Sequence, residues 1–276
     1  MKRLLIAGYG DIGRRVAARL PSGVEMRALS RTLGADLDRP ETLAAFAGWA
    51  DAILHAAPPP AADDTDPRTG NLLSGLLAEG PPKRIVYLST SGVYGDCAGA
   101  YVDEMRPVNP MSPRAKRRVD AERQLQHWCA ARGVALLVLR VPGIYAADRL
   151  PLDRLRARIP ALRAEDDGYT NHIHAEDLAS IVLRALADDA PAGVYNASDD
   201  SALRSGEWLD LVADRAGLPR PPRIARDEAA GRIPETTLSF MRESRRLVNA
   251  KMKRELGVEF AYPTVFDGVP HLAAAA

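Results

Sequence analysis

Gly8-Tyr9-Gly10-Asp11-Ile12-Gly13 has the spacing G-x-G-x-x-G, follows the apolar run Leu4 to Ala7 and precedes Arg14 to Leu20, which reads as the start of a helix. In a strand–turn–helix unit each glycine has a task. Gly8 takes the tight turn, Gly10 lets the backbone approach a pyrophosphate, and Gly13 lets helix and strand pack closely. The helix N-terminus offers free N–H groups and a positive dipole end to the phosphates. A second group is Ser89-Thr90-Ser91-Gly92-Val93-Tyr94-Gly95, which opens from the strand candidate Lys83 to Leu88. In an open α/β sheet the ligand crevice lies beyond the carboxyl ends of the strands. A hydroxyl at that point can hydrogen-bond a substrate carbonyl or alcohol oxygen. A third group is Ser30-Arg31-Thr32, after the strand candidate Val24 to Leu29. An acidic residue there would bond the ribose 2′-hydroxyl of NAD, whereas an Arg accommodates the 2′-phosphate of NADP. An Arg fork beside a hydroxyl, with no carboxylate, suits a phosphate dianion. These residues predict NADP as the cofactor, with NAD the alternative.

The elements that must position these groups alternate along the chain. Strands are expected at 24–29, 51–57, 83–88, 135–141 and 193–196, besides the first. Helices are expected at 40–47, 67–78, 112–132, 151–159, 175–186, 205–216 and 244–256. The run Asp51 to Ala57 stops at Pro58-Pro59-Pro60, which cannot continue a ladder. Ser112 and Pro113 read as a cap and first-turn proline for the long helix, and Gly133 closes it. Ala135 to Val141 is nearly all apolar, as a parallel strand buried on both faces is. The pattern predicts a doubly wound parallel α/β sheet. Residues 1–147 and 172–200 are expected to form a Rossmann dinucleotide-binding domain. Residues 148–171 and 201–276 are expected to form a smaller capping region, with a small-molecule substrate bound between the two.

Together these pieces resemble the extended short-chain dehydrogenase/reductase superfamily, and within it the NAD(P)-dependent epimerase/dehydratase proteins of the atypical bacterial subgroup. The resemblance rests on the glycine turn, on Ser89 through Gly95, on Arg140-Val141-Pro142-Gly143-Ile144-Tyr145, on His172-Ile173-His174-Ala175-Glu176-Asp177-Leu178-Ala179, and on Asn249 through Gly257. It implies that Gly8, Tyr9, Gly10, Asp11, Ile12 and Gly13 hold the pyrophosphate, and that Ser30, Arg31 and Thr32 meet the 2′-phosphate. Asp36 and Leu37 would border the adenine, and Ala56, Ala57 and Pro58 would line the ribose path. Ser89, Pro142, Gly143 and Ile144 would pack at the nicotinamide end. Thr90 or Ser91 would supply the catalytic hydroxyl. The resemblance also implies an oxidoreductase or epimerase-like activity on a small carbonyl or sugar-like substrate, and a homodimer as one assembly state.

One departure is central. The family's reaction uses a Tyr and a Lys one helical turn apart, followed by an Ala-Glu pair. Ala121-Glu122 fits that pair, and counting back puts Arg114 in the Tyr slot and Arg118 in the Lys slot. Arg118 retains the means to bind ribose hydroxyls. Arg114 cannot donate the proton, because a guanidinium pKa lies above ~12. Three accounts stay open: another tyrosine, Tyr94, Tyr101, Tyr145 or Tyr169, donates the proton; Arg114 clamps an anionic substrate group; or the protein is a redox sensor that binds NADP(H) without turnover. A nucleotide-sugar epimerase is a further alternative.

The bulk composition narrows the partners. In 276 residues, 37 Lys and Arg balance 36 Asp and Glu. With that balance, the basic run Arg114 to Arg118 is expected to be a cofactor or solvated face and not a nucleic-acid surface. No stretch approaches the length of apolar sequence that crosses a bilayer. The first strand follows Met1 directly, leaving no room for a leader, so the sequence predicts a cytoplasmic protein. Cys97 and Cys129 stand alone. His172 and His174 lack a third ligand at suitable spacing, so no metal is expected and backbone-bonded histidines are. Glu176 and Asp177 are expected to cap the helix that follows.

Overall fold

Leu4, Leu5, Ile6 and Ala7 are all fully buried, so the first strand must have protein on both faces. The computed structural model, which describes residues 1–76 and 80–272, shows how that is done. Six parallel strands form one sheet: β1 (Arg3–Ala7), β2 (Glu25–Leu29), β3 (Ala52–His55), β4 (Arg84–Thr90), β5 (Ala135–Val141) and β6 (Gly193–Asn196). Their spatial order is β2-β1-β3-β4-β5-β6. The chain reverses direction across the sheet between β1 and β3, which is where a doubly wound sheet opens its ligand crevice.

Because side chains alternate across a strand, each strand feeds two cores. Leu4 and Ile6 join Val86, Leu88, Leu137 and Leu139 on one face, against α1 (Asp11–Ala17), the helix Ala175–Ala185 and the helix Ala250–Leu256. Leu5 and Ala7 join Ile53, Ile85, Tyr87 and Val138 on the other, against Ala121, Leu125 and Cys129 of the long helix α2 (Pro113–Ala130). As expected, Ser112 caps α2, its hydroxyl accepting from the Ala115 N–H at 3.3 Å. Two smaller apolar clusters lie beyond the strand ends. One gathers Tyr145, Leu155, Leu209 and Val265, the other Leu162, Ile224, Leu238 and Met241.

Four local expectations differ from what is observed. The helix expected at 67–78 runs as Pro67–Asn71 and widens to a π-type turn over Leu72–Leu76, and residues 77–78 lie outside the described residues. Two short pairings lie outside the expected strands: Tyr169–Thr170 pairs with Leu203–Arg204, and His172–His174 pairs with Gly143–Tyr145. The helix expected at 244–256 begins only at Ala250, because Arg246–Leu247 is claimed as a strand by the distant segment Tyr101–Val102. The cap of the helix Ala175–Ala185 is His174, whose Nδ1 accepts from the Glu176 N–H at 3.3 Å. Asp177 instead accepts from the Ala261 and Tyr262 N–H groups at 2.8 and 2.9 Å, and Glu176 pairs with Arg15 and Arg19.

Candidate functional site

Gly8 leaves β1 at φ +95° and its N–H donates to the Leu29 carbonyl at 2.9 Å. The Ala56 and Ala57 N–H groups both donate to the Ala7 carbonyl, at 2.8 and 2.9 Å. The ends of β1 and β3 are thereby drawn so close that a Cβ on Gly8 would stand 2.3 Å from the Ala57 nitrogen. Gly10 is the opposite case. It caps α1 with an ordinary negative φ, and a Cβ there would meet nothing within 4 Å. Gly8 is thus required by the protein's own backbone. Gly10 borders open space, as a close approach by a phosphate demands.

That space is part of one groove made of three cavities with shared walls. The first, about 220 Å³, lies between Gly8, Tyr9, Gly10, Ser30, Arg31, Asp36, Leu37, Ala56, Ala57 and Pro58, with Arg68 also on its wall. The second, about 310 Å³, shares Gly8, Gly10 and Ala56 with it and continues past Ile12, Ser89, Thr90, Arg114, Arg118, Pro142 and Ile144. The third, about 260 Å³, shares Thr90, Arg114 and Pro142 with the second. Its other walls include Ser91, Gly143, Tyr169, Asn171, Phe240, Glu243 and Arg245.

Four residues expected at the site do not line the groove. Asp11 is turned into ion pairs with Arg15 at 3.0 Å and Arg149 at 2.7 Å. Burial works against its ionised form, but the two guanidinium groups outweigh it and hold the carboxyl below the usual range. Gly13 packs on β1, where a Cβ would lie 3.1 Å from the Ile6 side chain. Thr32 is exposed, its hydroxyl 3.0 Å from that of Ser30. Tyr94, expected among the catalytic groups, is buried behind the site; its hydroxyl donates to Asn196 Oδ1 at 2.8 Å and Arg140 stacks over its ring. Of the other tyrosines considered, Tyr145 lies in a buried cluster with its hydroxyl on the Thr264 carbonyl, and Tyr101 is exposed beneath Arg246. Tyr169 is the one of the four that shares a cavity with Thr90.

Arg118 donates to the Leu88 carbonyl at 2.7 Å and the Tyr87 hydroxyl at 3.1 Å, which fixes it at the end of β4. Arg114 makes no hydrogen bond among the described residues; its guanidinium rests on the Phe240 ring, 3.7 Å from the centroid. Ser89 donates to Glu122, which also holds Arg140 at 2.8 Å. Thr90 accepts from the Gly92 N–H at 3.3 Å, keeping its hydroxyl oxygen at the strand end.

Sequence reasoning missed Arg68, Phe240, Glu243 and Arg245, all on the groove. Arg68 donates to Asp38 at 2.7 Å and to the Pro58 carbonyl at 2.8 Å, bracing the wall of the first cavity that Pro58 forms. No local signal marks it. Asn171 stands directly before the recognised His172-Ile173-His174 stretch, so its place was within reach. Among the described residues no three His, Cys, Asp or Glu side chains converge as a metal site would require, and no helix is long and apolar enough to cross a membrane.

A glycine turn between β1 and α1, opening on a groove across the strand ends, defines a dinucleotide-binding α/β protein. The chain belongs to the NAD dependent epimerase/dehydratase family, which it matches over residues 4–198. A GDP-6-deoxy-D-mannose reductase from Pseudomonas aeruginosa is 29% identical over 164 residues, 54% of this chain and 54% of that protein. The chain thus spans about half the length of this curated relative in the matched region. Among solved structures, a conserved protein of unknown function from Silicibacter pomeroyi is 30% identical with a TM-score of 0.78, over 97% of this chain and 96% of that one. The structure of RMD from Pseudomonas aeruginosa complexed with NADPH has a TM-score of 0.76 at 21% identity, over 98% and 97% of the two chains.

Proposed function

We propose that the chain is an NADP(H)-dependent reductase of a small carbonyl compound, with a centre that replaces the family's Tyr-Lys pair. The observation that carries this is the continuity of the groove: one wall runs from Arg31 past Gly10 to Thr90 and Arg114. In this reading Ser30 and Arg31 hold the 2′-phosphate, Asp36 and Leu37 border the adenine, and Ala56, Ala57 and Pro58 line the ribose path. Gly8, Gly10 and Ile12 flank the pyrophosphate, and Ser89, Pro142 and Ile144 pack at the nicotinamide end. Residues 148–171 and 201–276 supply most of the substrate side. The NADPH complex of a neighbour and the reductase activity named for the curated relative favour reduction by NADPH over a tightly held NAD.

When bound, the cofactor would supply a hydride to a carbonyl carbon, and the carbonyl oxygen would need a proton from the protein. Thr90 orients the carbonyl oxygen by a hydrogen bond. Arg118 bonds the nicotinamide ribose hydroxyls in place of the usual lysine. Tyr169, which lines the same cavity as Thr90, would return the proton, since a guanidinium at position 114 cannot. That same substitution favours a second reading, a protein that binds NADP(H) and signals its redox state without turnover.

Calorimetric titration with NADPH, NADH, NADP and NAD tests the cofactor assignment, with Arg31→Asp in parallel. Micromolar binding of NADP(H), weakened in Arg31→Asp while NAD(H) gains, supports it. Absence of any dinucleotide binding sinks it. NADPH oxidation with carbonyl substrates, reduced in Thr90→Ala, separates enzyme from sensor.

A further inference from the structure

The third cavity has an unusual balance of charge. Its walls carry two guanidinium groups, Arg114 and Arg245, and one carboxylate, Glu243. Glu243 and Arg245 are both buried and pair with each other at 2.9 Å, and Arg245 also donates to the Gly95 carbonyl at 2.7 Å. That carboxylate is therefore committed. The Nε of Arg245 is buried with no hydrogen-bond partner among the described residues. Arg114 rests over the Phe240 ring and has no hydrogen-bond acceptor among the described residues; the nearby Glu243 and Arg245 charges act on it with opposite sign. A guanidinium resting over a ring keeps its N–H donors in its own plane, clear of the ring, and a planar fork of donors suits a carboxylate with two parallel hydrogen bonds.

Resting on the reductase reading above, we infer that this cavity takes a small oxo acid, with its carboxylate held by Arg114 and its carbonyl turned toward Thr90. Three observations converge on that class. The lining carries a net charge of one positive unit, from two Arg and one Glu, which one carboxylate neutralises and a phosphate dianion would overshoot. The volume, about 260 Å³ between Thr90 and Arg114, has room for a small acid. And Arg114 lines both this cavity and the one that leads to Gly10, so an anion on it sits beside the place where the nicotinamide is expected. The residue that removes the family's proton donor would then be the one that selects the substrate. With NADPH bound, the cofactor would supply the hydride for the new C–H bond as the carbonyl π bond breaks, and Tyr169 would give the oxygen its proton, leaving a hydroxy acid and NADP.

The test uses oxamate, its neutral counterpart oxamide and inorganic phosphate as probes, titrated calorimetrically into the free protein and into protein saturated with NADP. Oxamate is expected to bind the cofactor-saturated protein roughly ten- to a hundredfold more tightly than oxamide, the range of one or two charge-assisted hydrogen bonds. Arg114→Gln should abolish the preference, and Phe240→Ala, at an exposed ring, should reduce it several-fold. Equal binding of oxamate and oxamide, no binding of either to both forms, a preference that survives Arg114→Gln, or tighter binding of phosphate would each overturn the inference. Failure to take up NADP is read separately, from the cofactor titration, and overturns the reductase reading. An Arg114-dependent preference for oxamate in the free protein would still establish the carboxylate site.

Discussion

Glu122→Gln is the substitution whose cost the structure sets most sharply. Glu122 on α2 and Arg140 on β5 are 3% and 5% exposed. Arg140 donates to the two carboxylate oxygens at 2.8 and 3.3 Å, and the Ser89 hydroxyl donates to the same carboxylate. The third guanidinium nitrogen, Nη1, already has no partner among the described residues. Glutamine preserves the shape and removes the charge, so Arg140 becomes a buried cation with no counter-ion. Breaking a buried pair from one side costs about 3–5 kcal/mol, against a total stability of about 5–15 kcal/mol. For a chain of this size that corresponds to a fall in Tm of about 6–20 °C. Removing both charges, as Glu122→Leu with Arg140→Met, should recover most of the loss, because an apolar pair of similar volume needs no desolvation of ions. Arg118 and Arg114 lie one and two turns before Glu122 on the same helix, so loosening this anchor should also weaken whatever those residues bind. The assay is urea unfolding of wild type, both single variants and the double variant, checked for a constant m-value. A Glu122→Gln protein within 1 kcal/mol of wild type, or a double variant as unstable as the two single losses summed, would show that the pair is not the anchor.

Gly10→Ala should leave thermal stability unchanged and weaken NADPH at least tenfold, whereas Gly8→Ala, with its Cβ 2.3 Å from Ala57, should cost about 3 kcal/mol or more or fail to fold; a Gly10→Ala protein that binds NADPH normally refutes the placement of the pyrophosphate. Arg68→Gln should weaken NADPH and NADH by similar factors, because Arg68 braces Asp38 and Pro58, and a loss confined to NADPH in parallel titrations would instead place it on the 2′-phosphate. Asp199 is pushed up to about 7, first by burial and then by Asp200 and Asp177. The folded state thus holds a proton that the unfolded chain releases near pH 4, and stability from this group falls as pH rises from about 4 to 7, by about 4 kcal/mol in all. Unfolding of Asp199→Asn at pH 5 and pH 8 should show the variant gaining on wild type at the higher pH, and a pH-independent difference would refute the assignment.

The parts of this protein legible in the sequence are those fixed by neighbours in the chain. The glycine turn, the buried strand 135–141 and the capped helix after Ser112 are each encoded within a few residues, and each stands where it was expected. Local encoding also explains why Ser30, Arg31, Thr90 and Pro142 could be placed on one groove, since each stands at or just beyond the end of a sheet strand. What escaped was decided by partners far away in sequence. Residues 244–249 have helix-forming composition, yet the N–H groups of Arg246 and Val248 donate to the Ala100 and Val102 carbonyls. That pairing breaks the helix and carries Glu243 and Arg245 to the third cavity. Asp177 looks like a first-turn acid, yet it is drawn off to the backbone of Ala261 and Tyr262.

Arg114 shows how the two kinds of information combine. Its position eight residues before Glu122 is a counting argument, and it establishes only that the usual proton donor is absent. That Arg114 has no acceptor, lies on Phe240 and faces both the cofactor path and a cavity of net positive charge depends on residues more than a hundred positions downstream. The loss of one function was visible in the chain, but its replacement was not. The two are physically linked, because a tyrosine at position 114 would leave the third cavity with a self-neutralised Glu243–Arg245 pair and no free cation among its described walls. A pocket of that kind would favour a neutral carbonyl. On this reasoning Arg114→Tyr should shift binding from oxamate toward oxamide, even where it fails to restore a proton donor in the absence of the lysine one turn later.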